Sequence, residues 1–370
     1  MSGRYFDGEA MSMIVNLLDN GPDKMEALEG YIKEADESEN YYYSLLWRYE
    51  YAYQATFYSD PPKAMPVAAE FASIYEAHPS ALGSVRDNGG AESYLMITQM
   101  GIDPVVSLPQ IPMEQWEDMM DKFHALVKRF NIGHRTYWWQ MAQFWQYVDK
   151  EKAHQYFEKF WKTGRDGLSD CRACERCYAV HMSLLVGDRE AADNYAKPLK
   201  AGRVHFCNDA PKIYRWSYLE NALDRGDLKE ASSYASQLNY KLEHRIHDLS
   251  YIGAVIRCFA YTNIEKAIEK FVSGMELVLG LWDQKKVYDF YKGAYVCFHE
   301  LDKNKDTVTL SLPEEFPMYN KSGSYNCKEL EQWFYEQAEA TGNKFDKRNN
   351  SNYFKKNLSL ALACEGKKIF

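Results

Sequence analysis

Three stretches, DKEKAHQYFEKF (149–160), DREAADNYAKPL (188–199) and DLKEASSYASQL (227–238), repeat one pattern and decide the fold. Each begins with aspartate, has alanine four positions later, and continues with apolar residues on the same helical face. Their starts lie 39 residues apart, and a degenerate fourth copy begins at Asn263 and keeps Ala267. Because apolar residues at i, i+3, i+4 and i+7 form one buried helical face, the pattern predicts an amphipathic helix that recurs in each copy.

The helix before each copy repeats in the same register, with Trp138, Cys177 and Trp216 at equivalent positions. The aspartate can cap the second helix by accepting free backbone N–H groups, and Gly187 and Gly226 directly before it permit a tight turn. Each repeat is therefore predicted to be a helical hairpin. Self-similarity near this period, with small alanines between packed helices, predicts an all-α protein, a tetratricopeptide-like α-solenoid of stacked hairpins.

The rest of the chain divides around these repeats. Residues 1–112 are expected to hold N-terminal helical repeats, with an irregular insertion near 78–112 that contains GSVRDNGG, and residues 113–302 the solenoid core. Residues 303–370 are expected to form a short irregular C-terminal cap. Its β-branched residues, prolines and turn signals predict a small strand, followed by a helix from about Lys328 to Ala340.

Composition narrows the possible partners. The 370 residues carry a net charge of -9 and the pI is near 5.6, which disfavours nucleic acid and anionic membrane surfaces. The N-terminus lacks a basic start followed by an apolar run, and no stretch reaches the roughly 18 apolar residues of a membrane span. We therefore expect a cytoplasmic protein that binds neither nucleic acid nor membrane; the oligomeric state stays open.

Several motifs resemble those of a bacterial tetratricopeptide-repeat family of uncharacterised function. They are DCRACERC (170–177), the Cys207 and Pro211 pair one repeat later, RCFAYTN (257–263), and LPEEFPMYNKSGSY (312–325) with FDKRN (345–349). The resemblance covers roughly residues 130 to 350. It implies the solenoid and a structural cysteine site matching Cys171, Cys174 and Cys207, with Cys177 as an extra thiol. It implies no enzyme activity and no established partner.

The cysteine cluster also predicts a metal site by its own spacing. Cys171 and Cys174 stand at the start of one repeat's first helix, and Cys207 stands just before the next repeat's first helix, so the three share one edge. Thiols are expected to be reduced here, and a C-x2-C pair at a turn is a common beginning of a structural zinc site, which takes four ligands. The candidates for the fourth ligand are His205, Cys177 and His134. Cys177 has a second interpretation as a buried small hydrophobe, and the cluster has others as isolated reduced thiols, a redox disulfide or a catalytic thiol.

Two helices, from Tyr41 and from Thr136, are unusually rich in aromatic residues. They carry more aromatic surface than one buried stripe needs, so some tyrosines could line a groove that binds a peptide. The candidates for this binding surface are Tyr49, Tyr53, Tyr137 and Tyr147. The alternative is that these rings simply fill space between long helices.

The sequence contains none of the common catalytic motifs, such as a phosphate loop, a nucleophile elbow or H-E-x-x-H. We therefore expect an adaptor or scaffold that binds a protein or peptide, and not an enzyme. A zinc ion bound by the cysteines would have a structural role. The alternative is a metal-dependent regulatory or catalytic protein, or a thiol redox sensor, using Cys171, Cys174 and Cys207. An open coordination position would favour chemistry over structure.

Overall fold

The computed structural model describes residues 6–83, 90–205 and 207–367, which are mostly helical. This part of the chain holds seventeen α-helices and one small two-stranded sheet, so the predicted all-α class is confirmed. None of the helices described here is long and apolar enough to cross a bilayer. The chain forms two compact units: residues 1–105, 113–140 and 160–169 in the first, and residues 106–112, 141–159 and 170–370 in the second.

The first unit is built from the N-terminal helices around a core that includes Trp47 and Phe71. Buried Arg48 ties α3 to its neighbours by ion pairs with Asp36 at 2.7 Å and Glu70 at 3.0 Å. The helices are α1 (Gly8–Leu17), α2 (Pro22–Glu37), α3 (Tyr41–Tyr58), α4 (Ala64–Ala77), α5 (Ala91–Ile102), α6 (Met113–Phe130) and the first part of α7 (His134–Trp145). Short 3-10 turns follow α3 and α5, at Pro61–Lys63 and Asp103–Ser107.

The expected irregular insertion near 78–112 contains a regular element, α5. Tyr94, Leu95 and Ile97 of this helix are buried, because the sequence ESYLMITQM has enough apolar residues to pack against α4. Residues 84–89, most of GSVRDNGG, lie outside the described residues. The predicted division of the chain near residues 112 and 302 stays a prediction.

The second unit contains the repeats. Its helices are the end of α7, most of α8 (Lys150–Lys162), α9 (Arg172–Leu185), α10 (Arg189–Lys200), α11 (Ala210–Asp224), α12 (Leu228–Asn239), α13 (Leu249–Thr262), α14 (Ile264–Val278), α15 (Gln284–Asp302), α16 (Cys327–Asn349) and α17 (Tyr353–Ser359), with a 3-10 turn at Ile246–Asp248. Consecutive helices pack as pairs, α9 with α10, α11 with α12 and α13 with α14. The first helices of these pairs also pack on one another, α9 on α11 and α11 on α13.

The predicted caps of the second helices are present. The side chains of Asp149, Asp188, Asp227 and Asn263 each accept a hydrogen bond, at 2.9 to 3.1 Å, from a backbone N–H three residues later. The alanine of every copy is buried. The repeated pattern therefore predicted both the beginning and the buried face of α8, α10, α12 and α14.

The segment after residue 303 is more helical than expected. The strands β1 (Thr307–Thr309) and β2 (Ser324–Asn326) pair antiparallel, and α16 then runs well beyond the predicted end at Ala340. Phe345, near the end of α16, is buried and stacks on Phe354 of α17 with ring centroids 4.6 Å apart. This contact gives the last turns of α16 an apolar partner that no local sequence signal predicts.

Candidate functional site

The three predicted cysteines come together at the beginnings of α9 and α11. Cys171 is the N-cap of α9, and its Sγ accepts the Cys174 N–H at 3.3 Å. The Sγ of Cys207 accepts the N–H of Ala210, the first residue of α11, at 3.4 Å. The Sγ atoms of Cys174 and Cys207 are 3.1 Å apart, and all three sulfurs lie within 4.8 Å of one another. Two helix N-termini thus face one group of thiols, an arrangement that favours negative charge on sulfur.

The thiols of Cys174 and Cys207 differ in the direction of their pKa shifts. Burial raises the pKa of Cys174, and its hydrogen bond to Cys207 raises it further. Burial also opposes ionisation of Cys207, but the hydrogen bonds from Cys174 and from the N–H groups of Ala210 and Asp209 outweigh it and lower the pKa of Cys207. The Cys174 thiol therefore donates to a sulfur on Cys207 that carries the negative charge more readily.

The cluster could hold a metal ion, with three ligands from the described residues. Cys177 is fully buried, its Sγ donates to the carbonyl of Ala210 at 3.2 Å, and burial raises its pKa to about 12. It behaves as the small core residue that its register predicted. His205 is exposed and outside the group, and His134 begins α7 in the first unit. Within residues 6–83, 90–205 and 207–367 no other histidine, cysteine, aspartate or glutamate joins this group of three.

The four candidate tyrosines have different surroundings. Tyr49 and Tyr53 are half-buried on α3, where the Tyr49 hydroxyl contacts the Met96 sulfur at 2.7 Å. Tyr137 is 6% exposed and its ring stacks on His124 at 4.1 Å. Tyr147, at the end of α7, lines a cleft of the second unit. The predicted binding role of these tyrosines stays a prediction.

This cleft has a volume of about 290 Å³ and lies among α9, α11, α15, α17 and the two residues that follow α7. Its walls combine aromatic rings with charged and amide side chains. The lining includes Gln146, Tyr147, His181, Leu184, Leu185, Trp216, Ser217, Glu220, Asn221, Asp224, Lys285, Tyr288, Asp289, Lys292, Tyr353, Lys356, Asn357 and Leu360. The size is close to the lower end of ligand pockets, roughly 300 Å³, so the cleft suits one or two side chains of a ligand.

Most charges of the cleft are already paired. Lys292 binds Glu220 and the Asn357 side chain, each at 3.0 Å, and Lys285 binds Asp289 at 2.6 Å. Burial opposes the charge of Glu220, but Lys292 and Arg257 outweigh it and lower its pKa. Because each buried charge has an opposite neighbour, the network holds α11, α15 and α17 together without demanding a charged ligand.

His181 stands in the wall of the cleft with both ring nitrogens engaged. Its Nε2 lies 2.7 Å from the Gln146 Oε1, and its Nδ1 lies 3.3 Å from the Ser217 Oγ. The Gln146 amide nitrogen donates to the carbonyl of Gln143, so we assign the Nε2 proton to His181. Burial, with a further contribution from Lys285, lowers the pKa of His181 to about 4, and the ring is neutral at pH 7. It stacks on Trp216 at 5.5 Å.

Sequence reasoning overlooked this cleft, although the repeat contained a signal for it. Gln146, Leu185 and Asp224 lie 39 residues apart, as do His181 and Glu220, and all five line the cleft. These positions flank the apolar stripe on the first helix of each repeat. Four of the five are polar, and a periodicity defined by apolar residues does not reveal polar positions.

A second group of possible ligands, His299, Glu300 and Glu365, lies near the chain end. Its two carboxylates share one cation, since Lys303 binds Glu300 at 2.7 Å and Glu365 at 2.6 Å. The His299 ring also contacts Glu365, at 3.2 Å. This group is adequately explained as a surface ion-pair network.

No protein-family model, curated protein sequence or solved structure matches this chain. The resemblance to bacterial tetratricopeptide-repeat proteins stays a prediction. Function must therefore be inferred from the geometry of the chain itself.

Proposed function

We propose that the second unit is a tetratricopeptide-like solenoid whose cleft binds a segment of a protein or peptide. The observation that carries this proposal is that Gln146, Leu185 and Asp224, one 39-residue period apart, line the same cleft. Equivalent positions of successive repeats face one side of an α-solenoid. A cleft lined by equivalent positions is therefore what the inner face of such a solenoid would present.

The chemistry of the lining favours recognition by contact area and hydrogen bonds. Trp216, Tyr147 and Tyr353 contribute large rigid rings. Trp216 also stacks on His181, another residue of the lining, with ring centroids 5.5 Å apart. The charged side chains, being paired with one another, would fix the walls of the cleft.

Selection of short random peptides on the purified full chain tests this proposal. Each selected peptide is then titrated against Trp216→Ala, with Tyr240→Ala as the matched control, because Tyr240 is 83% exposed and outside the cleft lining. We expect Trp216→Ala to weaken binding by about tenfold or more, as for a central aromatic contact, and Tyr240→Ala to leave it unchanged.

A second cleft variant distinguishes the loss of a peptide contact from a folding defect. Lys356 is exposed and lines the cleft, so Lys356→Ala removes no core contact. Equal affinities of the wild type and of the Trp216→Ala, Lys356→Ala and Tyr240→Ala variants would show that the peptides bind elsewhere and would refute the cleft as the binding site.

We also propose that Cys171, Cys174 and Cys207 bind zinc and clamp the beginnings of α9 and α11 together. The three sulfurs are close enough to move onto one ion at the usual Zn–S distance of about 2.3 Å. Elemental analysis of the reduced protein is expected to give one zinc per chain. The Cys171→Ser/Cys174→Ser/Cys207→Ser variant should lose it, whereas Cys177→Ala should keep it. Zinc retained by the triple variant, or absent from the wild type, contradicts this site.

A further inference from the structure

One pair of sulfurs in the cluster is closer than metal ligation requires. Cys174 Sγ and Cys207 Sγ are 3.1 Å apart and in direct contact, whereas Cys171 Sγ is engaged as the N-cap acceptor of α9. A disulfide has an S–S distance of about 2.05 Å, so a closure of about one ångström would join the pair. We infer that Cys174 and Cys207 form a reversible disulfide when the protein meets a peroxide.

The surroundings of the two sulfurs suit this chemistry. Both residues are partly exposed, so a small peroxide can reach them. Cys177 and Cys258 are buried and sealed from solvent. A peroxide must reach the sulfur that it oxidises, and Cys174 and Cys207 offer this access whereas Cys177 and Cys258 do not. Oxidation should therefore be confined to the cluster.

The reaction balances with hydrogen peroxide as the oxidant. The Cys207 thiolate attacks one peroxide oxygen; an S–O bond forms, the O–O bond breaks, and the departing hydroxide takes a proton to leave as water. The Cys174 sulfur then attacks Cys207 of the resulting sulfenic acid, the S–S bond forms, and the S–O bond breaks. The Cys174 proton leaves with the hydroxide as a second water, so two thiols lose two electrons and one peroxide becomes two waters.

The cluster can therefore exist in two states, one that binds metal and one that contains the disulfide. The disulfide uses two of the three sulfurs, and Cys171 alone cannot hold a metal ion as tightly as three thiolates. The exclusion of zinc rests on the metal site proposed above, but formation of the disulfide does not. In the oxidised state a covalent bond replaces the metal clamp between the beginning of α9 and the segment before α11.

Peptide mapping can identify the bonded pair directly. Trypsin cleaves after Arg165, Arg172, Arg176, Arg203 and Lys212, so Cys171, Cys174 and Cys207 fall on the separate peptides 166–172, 173–176 and 204–212. The reduced full chain is treated with hydrogen peroxide and unfolded at acidic pH, free thiols are alkylated there, and the digest is analysed by mass spectrometry. We expect 173–176 linked to 204–212, separated by dithiothreitol, with Cys177 alkylated.

Variants and a metal readout sharpen the outcome. Cys171→Ser should still form the link and Cys207→Ser should not, each variant being checked for folding by circular dichroism. Peptide 166–172 linked to either partner, or sulfinic acid without a link, would overturn the inference. Released zinc is measured in the same samples with a chromogenic chelator. Zinc-free protein that forms the link refutes the metal site and supports the disulfide. Zinc-loaded protein that never forms the link supports the metal site and refutes the disulfide.

Discussion

Arg257 has no exposed side-chain surface, yet it carries a full charge within the second unit. Its guanidinium binds Asp224 at 2.7 Å, lies 3.6 Å from Glu220, and donates to the carbonyls of Ala361 and Leu360. Burial opposes this charge, but Asp224 and Glu220 outweigh it and raise the pKa of Arg257. One residue thus joins α11 and α13 to the segment that follows α17.

Replacing Arg257 by methionine should therefore be costly. The change leaves the Asp224 carboxylate and two carbonyls without their donor, and breaking a buried pair in this way costs about 3–5 kcal/mol of the free energy of unfolding. Arg225→Met is the matched control, because Arg225 is 47% exposed and its pair with Glu230 is worth about 0–1 kcal/mol. Urea denaturation measures both. Similar losses in the two variants would mean that Arg257 contributes no more than a surface charge.

The burial of His181 predicts that the stability of the protein depends on pH. Its pKa is about 4 in the folded chain, mainly because of burial, against about 6.5 in the unfolded chain, while Lys285 lowers it and Glu220 raises it. The unfolded state therefore binds the proton first as pH falls, and stability is lost between about pH 6.5 and 4. Relative to His181→Gln, the wild type should lose about 2–3 kcal/mol between pH 7.5 and 4.5 in urea titrations. A difference between the two proteins that does not change with pH would contradict this assignment.

At the scale of the element, the turns between paired helices differ although their sequences match. Gly187 and Gly226 precede the capping aspartates and have φ of 84° and 69°, in the left-handed region. A Cβ added at Gly187 meets nothing within 4 Å, whereas one added at Gly226 would lie 2.6 Å from the carbonyl oxygen of Ala363. The second turn is therefore constrained by a neighbour as well as by its own backbone.

The two glycines form a matched pair for mutation. Gly187→Ala should cost about 1–2 kcal/mol, the penalty of a left-handed alanine. Gly226→Ala should cost clearly more, since a backbone carbonyl cannot rotate away as a side chain can. The difference between the two midpoints of urea unfolding measures the contact with the C-terminal segment. Equal costs would show that this segment yields without resistance.

At the scale of the whole molecule, the end of the chain completes the core of the second unit. Phe354 of α17 is 1% exposed and packs on Tyr147, Tyr288 and Phe345. The Tyr288 hydroxyl donates to the carbonyl of Phe354 at 2.9 Å. The walls of the cleft thus depend on residues that are distant in sequence.

Phe354→Ala should destabilise the second unit by about 3–5 kcal/mol, through lost burial and the cavity left behind. Leu360→Ala is the control, because Leu360 lies in the same segment but is 42% exposed and should change stability by about 0.5 kcal/mol or less. Chemical denaturation followed by tryptophan fluorescence gives both values. A small effect of Phe354→Ala would mean that α17 contributes little to the core.

How much could be predicted depended on the range of the interactions. The caps at Asp188 and Asp227, and the burial of Cys177, follow from signals within one or two helical turns, and they are present in the structure. The extension of α16 to Asn349 was missed, because its last turns are stabilised by Phe354 across a turn. The fourth-ligand candidates also failed to join the cluster, since the spacing of His205 and Cys177 says nothing about the direction of their side chains.

The sequence by itself determined that the chain is helical, where the repeated helices begin, and which three cysteines share an edge. These features depend on backbone hydrogen bonds and apolar spacing within a few residues, and the same local pattern occurs in every repeat. Tertiary structure alone decided that Cys174 and Cys207 touch, that Arg257 holds the segment after α17, and that α17 lines the cleft. Such contacts join residues more than thirty and up to about two hundred positions apart. They are set by how packed side chains orient each helix against the next, which no local pattern encodes.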